Sequence, residues 1–178
     1  HRPTLTMLKQ CFTAMATTSA CEMCHIVGVT PEARSLEDAR GNKPLRGEFT
    51  ITQEDYEESR RQICSAGEGR INFVLMGCPH YSLEDIQQVA AYIDGKKVAD
   101  GVEFHVWTDM STLAMAKASG FVKTIEDAGG NVLSSSCAMV MDPAAFEHVT
   151  AMVTDSGKQG TLYALLLWCR QTCSNLLW

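Results

Sequence analysis

The stretch Ile71-Asn72-Phe73-Val74-Leu75-Met76-Gly77-Cys78-Pro79-His80-Tyr81-Ser82-Leu83-Glu84-Asp85 decides the fold class. Ile71–Met76 is a short, mostly apolar run and predicts a buried strand. Gly77–Tyr81 carries Gly and Pro and predicts a turn. Ser82 with Asp85 three residues on predicts a capped helix start. Leu83, Ile86, Val89, Ala90 and Ile93 then recur at helical spacing, and Gly95 ends the helix. Strand, tight turn and amphipathic helix together form the first half of a βαβ unit.

The same alternation continues downstream. Val102–Thr108 predicts a strand, and Asp109 opens a helix to about Gly120. A further turn or two of helix covers Phe121–Ala128. Gly129-Gly130 is a turn, and Asn131–Leu133 begins a strand that ends in Ser134-Ser135-Ser136-Cys137. Val149–Val153 is a last short strand, followed by Thr154-Asp155-Ser156-Gly157-Lys158. Upstream, Thr4 to about Thr18 predicts a helix with Thr4 as its cap. Met23–Val29 reads as a short apolar strand, broken at Thr30-Pro31 because Pro cannot continue a central ladder. Ala33–Gly47 reads as a loop with one helical turn, and Thr52–Cys64 as a helix with Thr52 and Asp55 at its start. Strands alternating with helices predict an α/β protein, a three-layer α/β/α arrangement with a mostly parallel sheet. No internal repeat or low-complexity segment interrupts it.

Composition narrows the function classes. Fifteen Lys plus Arg against 21 Asp plus Glu give a net charge of −6, and no basic cluster is present. That argues against nucleic acid as a partner, since phosphate neutralisation dominates such binding. No run of 18 apolar residues occurs, so no membrane-spanning helix is expected. No charged-then-apolar leader opens the chain, so no signal peptide is expected. The 178 residues allow one domain or parts of two. The chain starts at His1 rather than Met and ends in an apolar run, Leu162–Trp178, which predicts a fragment of a longer protein.

The eight cysteines are Cys11, Cys21, Cys24, Cys64, Cys78, Cys137, Cys169 and Cys173. Without a secretory signal they are expected as reduced thiols in a cytoplasmic protein, mostly as small buried apolar residues. Cys21-Glu22-Met23-Cys24-His25 matches the spacing for haem c attachment, but it requires an exported chain and lacks a suitable context. It also lacks the strand-then-helix setting of a redox pair. Zinc needs a second close pair, and only Cys169 and Cys173 offer one.

In an open parallel sheet, ligands bind beyond the carboxyl ends of the strands. The polar, Gly-marked segments fall at those ends: Gly28–Glu32, Gly77–His80, Thr108-Asp109, Ser134–Cys137 and Thr154–Lys158. They are expected to converge on one rim. His80, ahead of a helix start, suits an acid/base role. Cys78 in the same turn suits a stabilised thiolate or a structural thiol. Cys137 suits a metal or cluster ligand, a nucleophile or a core filler. Ser156-Gly157-Lys158 suits a carboxylate or phosphate. No GxxxxGK[ST] or GxSxG pattern is present.

These motifs together resemble the aconitase X family. His25–Ala33, read HIVGVTPEA, resembles its HxVGVTPEA signature, and Gly77–Glu84, read GCPHYSLE, resembles its GCPHxSxxE segment. Ser136-Cys137 sits where the family has a D-T-C cysteine, and Thr154–Lys158 resembles its TNSxK segment. The resemblance covers Pro3 to about Lys158. It implies an iron–sulfur hydro-lyase, a dehydratase related to aconitase and acting on small hydroxy-carboxylates. One branch takes cis-3-hydroxy-L-proline and another takes mevalonate 5-phosphate. It implies a β-elimination in which a base removes the proton next to the carboxylate and iron acts as Lewis acid on the leaving hydroxyl.

Carried residue by residue, the resemblance makes Cys137 a cluster ligand and Cys173 (or Cys169) a match for a late ligand. His80, Ser156 and Lys158 become catalytic candidates. His25, Thr30, Glu32, Cys78 and Ser82 become substrate-pocket or supporting candidates. Family large subunits are well over twice this length. Their N-terminal half, with a further ligand and much of the pocket, and their small swivelling domain have no counterpart here and are expected as partners. After Lys158 the family's AHYAPG-like stretch gives way to Gln159–Ala164, which keeps only the Tyr and Ala. The expectation is a partial catalytic large-subunit region over residues 1–164 and an aberrant apolar tail over 165–178. Such a chain is expected to be inactive alone, and cis-3-hydroxy-L-proline is the preferred substrate of its parent. A non-catalytic α/β interaction module and a phosphomevalonate dehydratase are the alternatives.

Overall fold

The structure, a computed structural model, describes residues 2–64, 70–137, 140, 143–160 and 170–171. The chain divides into two compact units, residues 1–61 and 62–178.

The first unit is helical. Helix α1 spans Leu5–Ser19, and the Met7 N–H donates to the Thr4 hydroxyl that caps it. Helix α2, Leu36–Arg40, starts in a reciprocal capping box between Ser35 and Asp38. Helix α3, Gln53–Ile63, starts where Thr52 and Asp55 exchange the same bonds. The strand expected over Met23–Val29 is absent. Gly28 sits at φ +76, and the N–H groups of Val29 and Thr30 both donate to the Ile26 carbonyl. The Thr30 hydroxyl closes the turn by bonding the Ile26 backbone at both N and O. Met23 is 73% exposed, so the apolar run is not a core strand.

The second unit is a parallel sheet. Strand β1 covers Phe73–Tyr81, β2 Glu103–Thr108, β3 Gly130–Leu133, β4 Ala151–Thr154 and β5 Arg170–Gln171, in the order β3-β2-β1-β4-β5. All four pairings are parallel. Helices α4 (Leu83–Ile93), α5 (Met110–Ala118) and α6 (Phe121–Asp127) connect β1 to β2 and β2 to β3. Side chains of a strand alternate between faces. Met76, Phe104, Val106 and Val132 therefore share one face, packed with Ile86, Val89, Ala116 and Ile125 of the helices. Phe73, Leu75, Trp107 and Met152 point the other way, where Phe146 covers them. The α/β class and the parallel sheet are as the sequence predicts.

Two connections lie on the helical face, and the β3–β4 connection returns over the other, bringing β4 to the far side of β1. The strand order therefore reverses between β1 and β4. At such a switch point the adjoining loops part to opposite faces and open a crevice at the carboxyl ends. The turn expected over Gly77–Tyr81 is instead part of β1. The strand pairs Met76 with Val106 and next Tyr81 with Thr108, so four residues of β1 bulge where β2 has one. Bulges of this kind re-aim side chains at the end of a strand.

Candidate active site

The bulge is possible because residue 77 is glycine. Its φ is +92, and a Cβ there would lie 2.1 Å from the Trp107 carbonyl oxygen. The backbone of β1 thus rests directly on β2, and the next three residues, Cys78, Pro79 and His80, are lifted out of the ladder. The Cys78-Pro79 peptide is cis. The Thr108 hydroxyl donates to the Tyr81 carbonyl at 2.6 Å and fixes the far end of the bulge. Ser82 then caps α4. Its hydroxyl accepts from the Asp85 N–H and donates to Oδ2 of Asp85, so both of its roles are taken by the helix start.

Register brings the other segments alongside. Leu75 lies opposite Thr154, which sets Asp155–Lys158 level with the bulge. Thr154 accepts from the Ser156 N–H and donates to Gln159 Oε1, and the Ser156 hydroxyl accepts from the Gln159 N–H. These three side chains are buried and form a closed turn into the helical turn 157–160. On the β3 side, His80 Nε2 lies 2.8 Å from the Ser136 carbonyl oxygen. A carbonyl only accepts, so Nε2 carries the proton in this contact.

The rim thus gathers Cys78, His80, Ser156 and Lys158, with Cys137 next to the residue that His80 grips. Burial pushes the Cys78 thiol up, while the Ser156 hydroxyl and the Lys158 ammonium pull it down and Cys137 and Asp155 push it further up. The net direction is upward, which favours the structural thiol over the stabilised thiolate as the reading of Cys78. Desolvation outweighs the nearby cation. Lys158 is half-buried and Cys137 is a half-buried free thiol.

Two groups escaped the sequence reading. The Tyr81 hydroxyl donates to Oδ2 of Asp155, joining β1 to the loop after β4. Burial raises the pKa of Asp155, and the Asp85 charge adds to this, while the Tyr81 and Gly77 hydrogen bonds oppose it. Burial likewise pushes the Tyr81 phenol far up. Asp155 belongs to the segment Thr154–Lys158, but nothing local in sequence pairs it with Tyr81.

His25, Thr30 and Glu32 belong to the first unit. There His25 Nδ1 is buried without a hydrogen-bond partner, the Thr30 hydroxyl is used in its own turn, and Glu32 is exposed. Cys173 and Cys169, and most of the expected tail over 165–178, lie outside the described residues. All six described cysteines are free thiols. Among the described residues no three His, Cys, Asp or Glu side chains converge to hold a metal ion. A cluster needs several thiolate ligands, so Cys137 as described does not make up an iron–sulfur site.

Family models match both units: the aconitase X third domain over residues 71–173 and the aconitase X second domain over residues 1–61. The chain belongs to the aconitase X family. The boundary between the two matched domains falls where the chain divides into its two units. Among aconitase X relatives, the cis-3-hydroxy-L-proline dehydratase of Pseudomonas aeruginosa is 30% identical over 159 residues. The match takes in 89% of this chain and 27% of that protein. The phosphomevalonate dehydratase large subunit of Methanothermobacter thermautotrophicus is 30% identical over 157 residues, 88% of this chain and 37% of that one. The crystal structure of Thermococcus kodakaraensis aconitase X in its holo-form superposes with a TM-score of 0.75 at 23% identity. It covers 91% of this chain and 40% of that chain. The chain thus spans about a quarter to two-fifths of the length of these aconitase X proteins. The two named relatives are dehydratases, that is, hydro-lyases. No helix among the described residues is long and apolar enough to cross a membrane.

Proposed function

We propose that this chain is the second- and third-domain portion of a cytoplasmic hydro-lyase that dehydrates a small hydroxy-carboxylate, cis-3-hydroxy-L-proline being the preferred substrate. The observation that carries the reading is the rim at the β1/β4 switch point, where a proton acceptor and a cation stand on opposite sides of one bulge. Elimination of water breaks the C–H bond next to the carboxylate and the C–O bond, forms a C=C bond, and releases the hydroxyl with a proton as water. His80 is placed on the bulge to take the proton, its ring oriented by the bond from Nε2 to the Ser136 carbonyl. Lys158 holds the substrate carboxylate. Ser156 is 2% exposed and acts through the Cys78 thiol and its own turn.

The iron–sulfur cluster implied by the family is the Lewis acid for the leaving hydroxyl when bound. Cys137 is the one expected ligand that is described here, and the others must come from Cys173 and from chain beyond this portion. His25, Thr30 and Glu32 are assigned to the substrate pocket of the complete protein, and Cys78 and Ser82 support it. The complete protein also needs the small swivelling domain.

The test is a chimera in which this chain replaces the matching stretch of the Pseudomonas dehydratase. Turnover of cis-3-hydroxy-L-proline is expected, with a loss of about a hundredfold in kcat for His80→Ala and a raised KM for Lys158→Met. Cys137→Ala is expected to lower iron content. The isolated 178-residue chain, reconstituted anaerobically with iron and sulfide, is expected to remain colourless and inactive. Turnover by that chain alone contradicts the incompleteness. A chimera that accepts only mevalonate 5-phosphate moves the substrate to the other branch, and a folded chimera with no turnover of either favours the interaction module.

A further inference from the structure

The Tyr81–Asp155 contact ties the end of β1 to the loop after β4 across the switch point. Oδ2 of Asp155 takes the Tyr81 hydroxyl, and the backbone N–H groups of Gly77 and of Asp155 itself also bear on the carboxylate, but Oδ1 is buried and no donor meets it in hydrogen-bond geometry. An ionised carboxylate is an acceptor at both oxygens, and a buried acceptor without a donor is costly. No ion pair among the described residues includes Asp155. The residue also lines an apolar cavity of about 360 Å³, whose other walls include Val74, Met76, Val89, Phe104 and Val153. The titratable groups that face it are Tyr81 and Cys78 of β1 and Asp85 at the start of α4. None of these is a cation. Lys158, the nearest cation in sequence, acts on Cys78.

We propose that Asp155 is held as a neutral carboxylic acid and that the Tyr81–Asp155 clasp is the positioning pair of the rim, locking the Gly77–His80 bulge to the Ser156–Lys158 turn. Neither residue touches substrate in this scheme. The clasp sets where Cys78 and His80 stand relative to Lys158, and it does so whichever substrate the rim takes. It therefore stands or falls apart from the reaction proposed above.

The clasp predicts an unusual order among variants. A neutral acid and an amide have the same shape and both accept from Tyr81. Asp155→Asn should therefore keep the clasp, whereas Asp155→Ala and Tyr81→Phe should break it. Cys78 is 7% exposed, so its alkylation rate reports opening of the bulge. In the full 178-residue chain, peptide mapping after timed alkylation should show Cys78 reacting about tenfold faster in D155A and Y81F, the loss of about one hydrogen bond. D155N should stay close to the unsubstituted chain. Infrared spectroscopy at neutral pH provides a second reading, which a purely structural contact would not give. The unsubstituted chain should show the carbonyl band of a protonated carboxylic acid, and D155N should lack it. Absence of that band, or Cys78 exposure in D155N equal to that in D155A, overturns the neutral acid. Unchanged alkylation in both Y81F and D155A overturns the clasp. Should D155A fail to fold, Y81F and the infrared comparison decide.

Discussion

Gly77→Ala is the sharpest perturbation of the rim. The substitution adds one methyl, and that methyl meets backbone. An ideal Cβ at residue 77 lies 2.1 Å from the Trp107 oxygen, 2.8 Å from its nitrogen and 2.9 Å from its carbonyl carbon. No rotamer change can relieve this, because the obstacle is the neighbouring strand. To reach ordinary contact, β1 and β2 must part by more than an ångström beside their tightest register, or the bulge must refold. The residue must also hold φ +92, a region alanine rarely occupies. The expected cost is about 4 kcal/mol, at the upper end for single substitutions. Gly95→Ala is the control. Gly95 lies in the same unit at φ +70, and nothing stands within 4 Å of its added Cβ. Only the conformational strain remains, worth about 1 kcal/mol. Urea unfolding of both variants, followed by far-ultraviolet circular dichroism, compares the two through the same transition. A difference of about 3 kcal/mol with unchanged m-value is expected from these two costs. Equal losses for the two variants would refute the close-approach argument and leave the bulge to be explained by positive φ alone.

Three further outcomes follow from local geometry. Asp109 caps α5, and bonds from Ser111 and Thr112 hold its carboxyl well below the usual range. A depressed carboxylate stabilises the fold above its unfolded pKa of about 4. That contribution should fade as pH falls through the folded value, and Asp109→Ala should remove it, as read by urea midpoints against pH. His105 is shifted downward by burial, which outweighs the Glu103 carboxylate beside it. Below about pH 6.5 the unfolded chain takes up that proton first, so stability should fall with pH there. His105→Asn should flatten this slope. Asn72→Ala should loosen the amino ends of the β1–β4 pair, since the Asn72 carboxamide accepts from the Thr150 N–H at 2.9 Å and donates to the His148 carbonyl at 2.8 Å. Faster hydrogen exchange at the start of β4 checks it.

What the sequence revealed was mostly what is local. The caps at Thr4, Ser82 and Asp109 were legible because a cap and its partner lie three residues apart. The helical stripe of α4 was legible for the same reason. Met23–Val29 misled because a short apolar run has no period of its own. Gly28 and the Thr30 hydroxyl turn that run back on itself, and among the described residues no strand pairs with it. Gly77–Tyr81 misled differently. Gly and Pro signalled irregular backbone correctly, but whether an irregular segment is a turn or a bulge depends on the neighbouring strand. Tyr81 finds Thr108, 27 positions away, and so β1 resumes.

The same distinction governs the site. Parallel strands must end on one side, so their polar ends could be expected to meet from sequence alone. The strand order could not, because it depends on which face each connection crosses. Once β4 is placed beyond β1 rather than beyond β3, the crevice falls between the Gly77 bulge and the Ser156 turn. The groups that meet across it are then fixed by register: Lys158 and Ser156 act on Cys78, and Tyr81 reaches Asp155, 74 positions away. Had β4 added beside β3, the same motifs would still have lain on the rim, but two strands would have stood between Asp155 and Tyr81 and the bulge would have had no clasp. The chemistry proposed for this rim therefore rests on one topological fact, the reversal at β1, more than on any single residue type in its motifs.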